Sequence, residues 1–369
     1  MTAMPALQIL MTTDTVGGVW QYSTDLTREL IEAGHAVTLA VLGPSPSETQ
    51  RSGADQIGHL RLVDTGLPLD WMCDDPAPVE RAAREISRLA SECGADIIHC
   101  NMPALAGGAD FPVPLLAVTH GCTATWWQAA RDCPLIPAYR WHRDMVRQGL
   151  AAADAVVSPS SSYAETVQAT YRLPHRPKVV HNGRPPAPGT ASGKQPIDAA
   201  LTVGRMWDPV KNGALLDRVA ATIALPFLAA GSLRGPHGEE AVFSHLQALG
   251  HVPDEEIGEL LALQPIFVSA ARFEPFGLAV LEAASAGCAL ILADIPTFRE
   301  LWDGAALFVD PGDADGFARA IERLHTEPGL RQQLGETARL RSTRYTPAAM
   351  ANAVASIYRA LLAERMAAA

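Results

Sequence analysis

Short apolar runs alternate along the chain with longer stretches in which apolar residues recur every three or four positions. That alternation predicts βα units wound around parallel sheets. A strand buried on both faces reads as a continuous apolar run, and the helix that covers it reads as a stripe. Residues 7–13 (LQILMTT) predict a first strand. Gly17-Gly18 then turns the chain into a helix over 19–33 that stops at Gly34, and 35–42 predict a second strand. Over 78–93, Ile86, Leu89 and Ala90 share a helical stripe with Arg and Glu opposite. Further buried strands are expected at 96–100, 115–119, 155–158 and 178–181.

Between Gly183 and Pro196 the pattern breaks into Pro, Gly and Ser without a period, which marks a linker. A second βα series follows, with strands at 199–204, 227–230, 266–270 and 289–293 and helices at 314–324, 329–341 and 347–365. The organisation this predicts is a Rossmann-like domain over 1–185, a linker over 186–197 and a second Rossmann-like domain over 198–346. A length of 369 residues suits two domains.

Composition narrows the function classes. With 48% hydrophobic and 19% charged residues the chain reads as a water-soluble globular protein. A net charge of −11 argues against a general nucleic-acid binder, yet leaves room for a local basic pocket. The six cysteines have no C-x-x-C spacing and several sit in apolar runs, so reduced thiols are expected. The start of the sequence has no charged n-region or apolar h-region, and no run is long enough to cross a bilayer, so a cytoplasmic protein is expected. Arg131, Arg140, Arg143 and Arg147, among aromatic neighbours, suit either a weak peripheral membrane contact or an ordinary solvated helix face.

In an open parallel sheet, ligands bind beyond the carboxyl ends of the strands. Five turns there carry candidate chemistry. Gly17-Gly18 opens a helix and suits either a tight turn or the close approach of an anion; no G-x-G-x-x-G is present. His120-Gly121 follows a buried strand, where a histidine meets a ligand or packs structurally. Arg205 and Lys211 flank a second strand-to-helix turn and can neutralise a leaving diphosphate or lie solvated on the surface. In Arg272–Glu282 a Pro-Phe-Gly turn is expected to open a helix at Pro275, leaving the amides of Phe276, Gly277 and Leu278 to a ligand. Glu274 in that turn caps the helix or meets hydroxyls. Glu282, in an apolar helix, needs a partner such as a ribose diol. Asp313-Ala314-Asp315 spells D-x-D but stands where a helix cap belongs, so no required metal is expected.

Taken in order, these turns resemble the retaining GT-B glycosyltransferases with the E-x7-E motif, glycosyltransferase family 4. The resemblance rests on Gly17-Gly18, His120-Gly121, His181-Asn182-Gly183, Gly204-Arg205 with Lys211-Asn212, Gly250–Pro253 with Glu255-Glu256, and Phe273–Gly277 with Glu282. It implies an α/β GT-B fold of two Rossmann-like domains facing each other across a deep cleft, the acceptor on the first and the nucleotide sugar on the second. Helix 347–369 is then expected to pack back on the first domain. By position, Gly17 and Gly18 would contact the donor diphosphate, and His120 would approach the sugar. Arg205 and Lys211 would bind the diphosphate and steady the leaving group. Glu274 would hold sugar hydroxyls with the amides of Phe276, Gly277 and Leu278. Glu282 would hold the ribose, and the base would lie near Val252. The stretch from Arg205 to Lys211 is one residue longer than in many members. Trp126 and Trp127 suit acceptor stacking or core packing.

The activity so implied is retaining transfer of a hexosyl-type sugar from a UDP-, GDP- or ADP-sugar to a hydroxyl acceptor, by same-face substitution without a metal and with no other cofactor. Alternatives are a nucleotide-sugar epimerase or glycoside phosphorylase on the same fold, a two-lobed solute-binding protein, and a dehydrogenase; the last lacks its glycine fingerprint.

Overall fold

The computed structural model describes residues 6–186 and 196–368, so positions 187–195 of the expected linker lie outside the described residues. The chain divides into two compact units, Met1–Gly183 with Pro347–Ala369, and Arg184–Thr346.

The first unit holds β1 (Gln8–Asp14), β2 (Ala36–Leu42), β3 (Leu60–Leu67), β4 (Ile97–Cys100), β5 (Leu115–Val118), β6 (Ala155–Ser158) and β7 (Lys178–Val179). They form one parallel sheet in the order β3-β2-β1-β4-β5-β6-β7. Strands β1, β2, β4 and β5 are buried nearly throughout, which is why they read as apolar runs. Edge strand β3 alternates between half-buried and exposed positions and was not expected from the sequence. The strand expected at 178–181 shrinks to two residues. Helices α1 (Gly18–Glu32), α2 (Glu48–Asp55), α3 (Ala77–Glu92), α4 (Thr123–Ala130), α5 (Arg140–Ala152) and α6 (Ser161–Tyr171) complete the βα units.

The second unit repeats the plan. Its strands are β8 (Ala200–Val203), β9 (Phe227–Ala230), β10 (Gln247–Gly250), β11 (Ile266–Ser269), β12 (Leu290–Ala293) and β13 (Ala306–Val309). They are parallel, in the order β10-β9-β8-β11-β12-β13. Its helices are α7 (Gly213–Ala220), α8 (Asp254–Ala262), α9 (Leu278–Ser285), α10 (Pro296–Trp302), α11 (Ala314–Thr326) and α12 (Pro328–Ser342). The core is built on Phe227, Phe267, Phe298, Trp302 and Phe317, each at most 1% exposed. Helix α9 begins at Leu278, three residues later than expected. Gly277 precedes it with φ +95°, a left-handed conformation that ends the turn and starts the helix, and Pro275 stays in the turn.

The last helix, α13 (Pro347–Ala368), belongs to the first unit. Met350, Val354, Tyr358 and Leu361 fall on one stripe and enter the same core cluster as Leu26 of α1 and Met11 of β1.

Helix α5 lies so close to the turn at Pro103–Gly107 that a Cβ at Gly149 would sit 1.8 Å from the Pro103 carbonyl oxygen, whereas one at Gly53 of α2 would meet nothing within 4 Å. Two glycine-to-alanine changes should therefore have opposite signs. Gly149→Ala is expected to cost about 1–3 kcal/mol by overpacking, while Gly53→Ala should add about 0.5–1 kcal/mol by removing backbone freedom from the unfolded chain. Urea midpoints of the two variants check this; a stable Gly149→Ala protein would contradict the close approach.

Candidate active site

In each sheet the winding direction reverses once, between β1 and β4 and between β8 and β11. Helices leaving the two central strands go to opposite faces there, which opens a crevice at the carboxyl ends. The turns that follow these strands and β5 carry most of the expected site residues.

In the first unit, Asp14 ends β1 and its Oδ1 accepts from Val16 N at 2.9 Å, shaping the loop to Gly17. Gly17 caps α1 and Gly18 is its first residue, so the amides of Gly18 and Val19 have no acceptor inside the helix. Asn101 follows β4. Its backbone N donates to Thr12 Oγ1 at 2.9 Å, and its Nδ2 donates to Thr12 O at 2.8 Å and Ser23 Oγ at 3.2 Å, bridging the two switch strands. His120 follows β5, with Nε2 2.8 Å from Asn101 Oδ1 and its ring edge-on to Tyr22 at 4.5 Å. The Tyr22 hydroxyl meets His99 Nε2 at 3.2 Å, and His99 Nδ1 meets the Tyr358 hydroxyl of α13 at 2.6 Å. Loss of solvation pushes both His99 and His120 down to about 3, so both are neutral at ordinary pH. Trp127 packs inward and donates from Nε1 to Cys133 O at 3.0 Å; Trp126 is half-buried, and the Arg131 guanidinium lies 5.6 Å from its ring centre.

In the second unit every expected cation has a carboxylate. Arg205, beyond β8, pairs with buried Asp208 at 3.0 Å and stacks over Trp207 at 5.5 Å. Lys211 pairs with Glu274 at 2.5 Å, both side chains about one-fifth exposed. Asn212 fixes that turn: it has φ +62°, and its Nδ2 donates to Ala270 O and Pro311 O. The amides that open α9 are those of Leu278, Ala279 and Val280, not of Phe276 and Gly277 as expected from a start at Pro275. Glu282, expected to need a partner such as a ribose diol, has its Oε1 accepting from Arg184 Nε at 2.7 Å. A cavity of about 290 Å³ opens beside this pair, walled by Pro185, Pro186, Ile257 and Leu261. Val252 turns its half-buried side chain into the core and sits in the loop before α8.

Other candidates lie elsewhere. Asp313 caps α11 by accepting from Gly316 N at 2.8 Å. Among the described residues, no three His, Cys, Asp or Glu side chains are grouped so as to hold a metal ion, and no helix is long and apolar enough to cross a membrane. Arg131 follows α4, so only Arg140, Arg143 and Arg147 share helix α5.

Two family profiles match this chain: Glycosyltransferase Family 4 over residues 16–187, and Glycosyl transferases group 1 over residues 240–341. The chain belongs to the GT-B glycosyltransferases of family 4 type. This glycosyltransferase is 24% identical to the glycogen synthase of Mycobacterium tuberculosis over 93% of its own length and 91% of that protein. A shorter match, 36% identical, covers about a fifth of the O-antigen chain mannosyltransferase B of Escherichia coli. Among solved structures it resembles sucrose-phosphate synthase of Thermosynechococcus elongatus (TM-score 0.78, 17% identity, 97% and 100% of the two chains). HepE of Anabaena, solved with UDP-glucose, is also similar (TM-score 0.71, 16% identity, 96% and 100%).

Four residues that hold the candidate site residues in place carry no motif of their own. Asn101, Tyr22 and Asp208 look like ordinary strand-end, helix and turn residues, and Arg184 stands at the edge of the linker. Within the first unit, the pairing of β4 with β1 places Asn101 beside Thr12 and His120; within the second, Asp208 meets Arg205 and Arg184 meets Glu282.

The two most strongly depressed histidines, His99 and His120, give stability a pH dependence of known sign. The unfolded chain takes up their protons from about pH 6.5 downward and the folded chain only near 3, so stability present above pH 6.5 drains away as pH falls. Each histidine should remove about 2 kcal/mol between pH 7 and pH 5. Urea unfolding at the two pH values should show this loss, and His120→Ala should retain only about half of the histidine contribution. An unchanged pH dependence in that variant would count against a desolvated, neutral His120.

Proposed function

We propose that this glycosyltransferase moves a hexosyl-type sugar from a nucleoside diphosphate sugar (UDP-, GDP- or ADP-linked) to a hydroxyl acceptor, with retention at the anomeric carbon and without a required metal. The observation that carries this reading is the set Arg205, Lys211 and Glu274 at the carboxyl ends of β8 and β11. Two cations there can take a diphosphate, and release of Lys211 from Glu274 frees that carboxylate for sugar hydroxyls. The amides of Leu278–Val280 add positive potential at the start of α9. Glu282, beside a partly apolar cavity, suits a nucleoside, with ribose hydroxyls sharing the carboxylate with Arg184. The roles expected for Gly18 at the diphosphate and His120 at the sugar belong to the same proposal. HepE was solved with UDP-glucose, and the glycogen synthase relative fits a hexosyl donor.

Same-face substitution follows from the chemistry of these groups. An inverting enzyme needs a general base across the ring from the leaving group. His120 is engaged by Asn101, and Glu274 by Lys211 and, in this reading, by hydroxyls. The departing phosphate oxygen is then the group that takes the acceptor proton, with Arg205 and Lys211 bearing its charge. The soluble, cytoplasmic setting of a nucleotide-sugar enzyme and a weak peripheral membrane contact through α5 belong to the same proposal.

The test starts with a thermal-shift screen of nucleotide sugars, where a ligand at a hundred times its Kd adds about 2.7 kcal/mol. With the donor so found, the anomeric proton coupling of fresh product should show the donor configuration kept, and turnover should persist in excess EDTA. Arg205→Ala should lower kcat by about 10²–10³-fold, the usual cost of one charge-stabilising donor. An inverted product would overturn the mechanism, and loss of activity on chelation, restored by magnesium, would overturn metal independence.

A further inference from the structure

We propose that Asn101 is the positioning residue for His120: it fixes the imidazole as the Nε2–H tautomer, so that Nδ1 is presented as a hydrogen-bond acceptor to a substrate hydroxyl. The substrate half of this statement rests on the reading of His120 given above. The tautomer half stands on the hydrogen-bond geometry, with desolvation of the ring keeping it neutral.

The assignment follows from what each atom can do. Thr12 O is a carbonyl oxygen and only accepts, so the Asn101 atom 2.8 Å from it must be the NH₂ nitrogen. A second donation, to Ser23 Oγ at 3.2 Å, uses the other amide hydrogen. The amide cannot be turned over without facing its oxygen at a carbonyl oxygen, so Oδ1 is held toward His120. Oδ1 in turn only accepts, so His120 Nε2, 2.8 Å away, must carry the hydrogen. Burial disfavours a second proton on the ring, which leaves the lone pair on Nδ1. No hydrogen bond of Nδ1 is found among the described residues.

The support behind Asn101 is stiff. Its backbone N donates to Thr12 Oγ1, which locks the end of β4 to β1 at the point where the sheet reverses. The His120 ring is also braced edge-on by Tyr22, whose hydroxyl is tied through His99 to Tyr358. The ring is thus held in plane by one neighbour and against rotation by the other. Such a histidine selects a partner that donates, which a sugar hydroxyl does and a carboxylate or phosphate oxygen does not. It also has no proton to give to a leaving group.

The direct test is the side-chain ¹⁵N–¹H NMR spectrum of the ligand-free protein at neutral pH, with the His120 signals identified by their loss in His120→Ala. A protonated Nε2 and an unprotonated Nδ1 are expected, and in Asn101→Ala the two nitrogens should move toward averaged values. An Nδ1–H signature or an imidazolium in the wild type would overturn the proposal, and this readout needs neither donor nor turnover. A double-mutant cycle on kcat supplies the second test. Asn101→Ala should lower kcat about tenfold, and adding it to His120→Ala should lower it no further, because its effect passes through the imidazole. Equal losses with and without His120 would show that Asn101 serves the strand junction only. The cycle compares proteins that keep the wild-type thermal shift with nucleotide, and the wild-type spectrum decides the tautomer even if Asn101→Ala fails to fold.

Discussion

A parallel sheet has to be covered on both faces, and a chain that winds in one direction covers only one. The remedy in both units is to start in the middle, wind outward to one edge, then return to the centre and wind to the other edge. The reversal leaves two neighbouring strands, β1 and β4 or β8 and β11, whose following turns diverge. Backbone amides and side chains at their carboxyl ends are therefore not used up in covering the sheet. Asp14, Gly17, Gly18 and Asn101 in one unit, and Arg205, Lys211 and Glu274 in the other, all stand at those ends. The chemistry depends on this covering problem more than on any single contact.

Charge is handled differently at the two reversals. In the second unit Arg205, Lys211 and Arg184 are each matched by Asp208, Glu274 and Glu282. Pairs that are partly solvated add little to stability, so their value lies in holding each head group in place before a ligand arrives. An incoming diphosphate would then exchange one anionic partner for another, and a carboxylate freed in the exchange could turn to hydroxyls. Asp208 differs from the other two carboxylates because it is buried and also accepts from Val210 N. It is built into the turn, and so Arg205 is anchored from behind and not merely paired.

The sequence pattern shows the strands that are buried on both faces, because Val, Ile and Leu run unbroken through them. It passes over β3, β10 and β13, which lie at sheet edges and have no fully buried position. It places the start of α9 at Pro275 because proline favours a first helical turn, but the left-handed backbone at Gly277 delays the helix. The apolar setting of Glu282 correctly calls for a partner. The partner in the structure is Arg184, almost a hundred residues away in sequence, and no local pattern can announce that. Asn101 is hidden for the same reason: a single asparagine after a strand has no signature until the sheet order puts it beside Thr12 and His120.

The network around His120 in the first unit is built from neutral groups. Its polar groups are an amide, two tyrosine hydroxyls and two imidazoles that burial keeps neutral. A neutral network of this kind is costly to leave half satisfied, which accounts for its continuity from Thr12 through Asn101 to His120 and from Tyr22 through His99 to Tyr358. It also limits what the network can do. An imidazole whose proton is committed to Asn101 is a poor acid, and one buried so that it titrates near 3 is a weak base. In the proposed reaction His120 then contributes orientation and not proton transfer, and the acceptor proton is assigned to the leaving phosphate. The electrostatic part of that proposal falls to Arg205 and Lys211, the two cations held in place at the second unit's reversal.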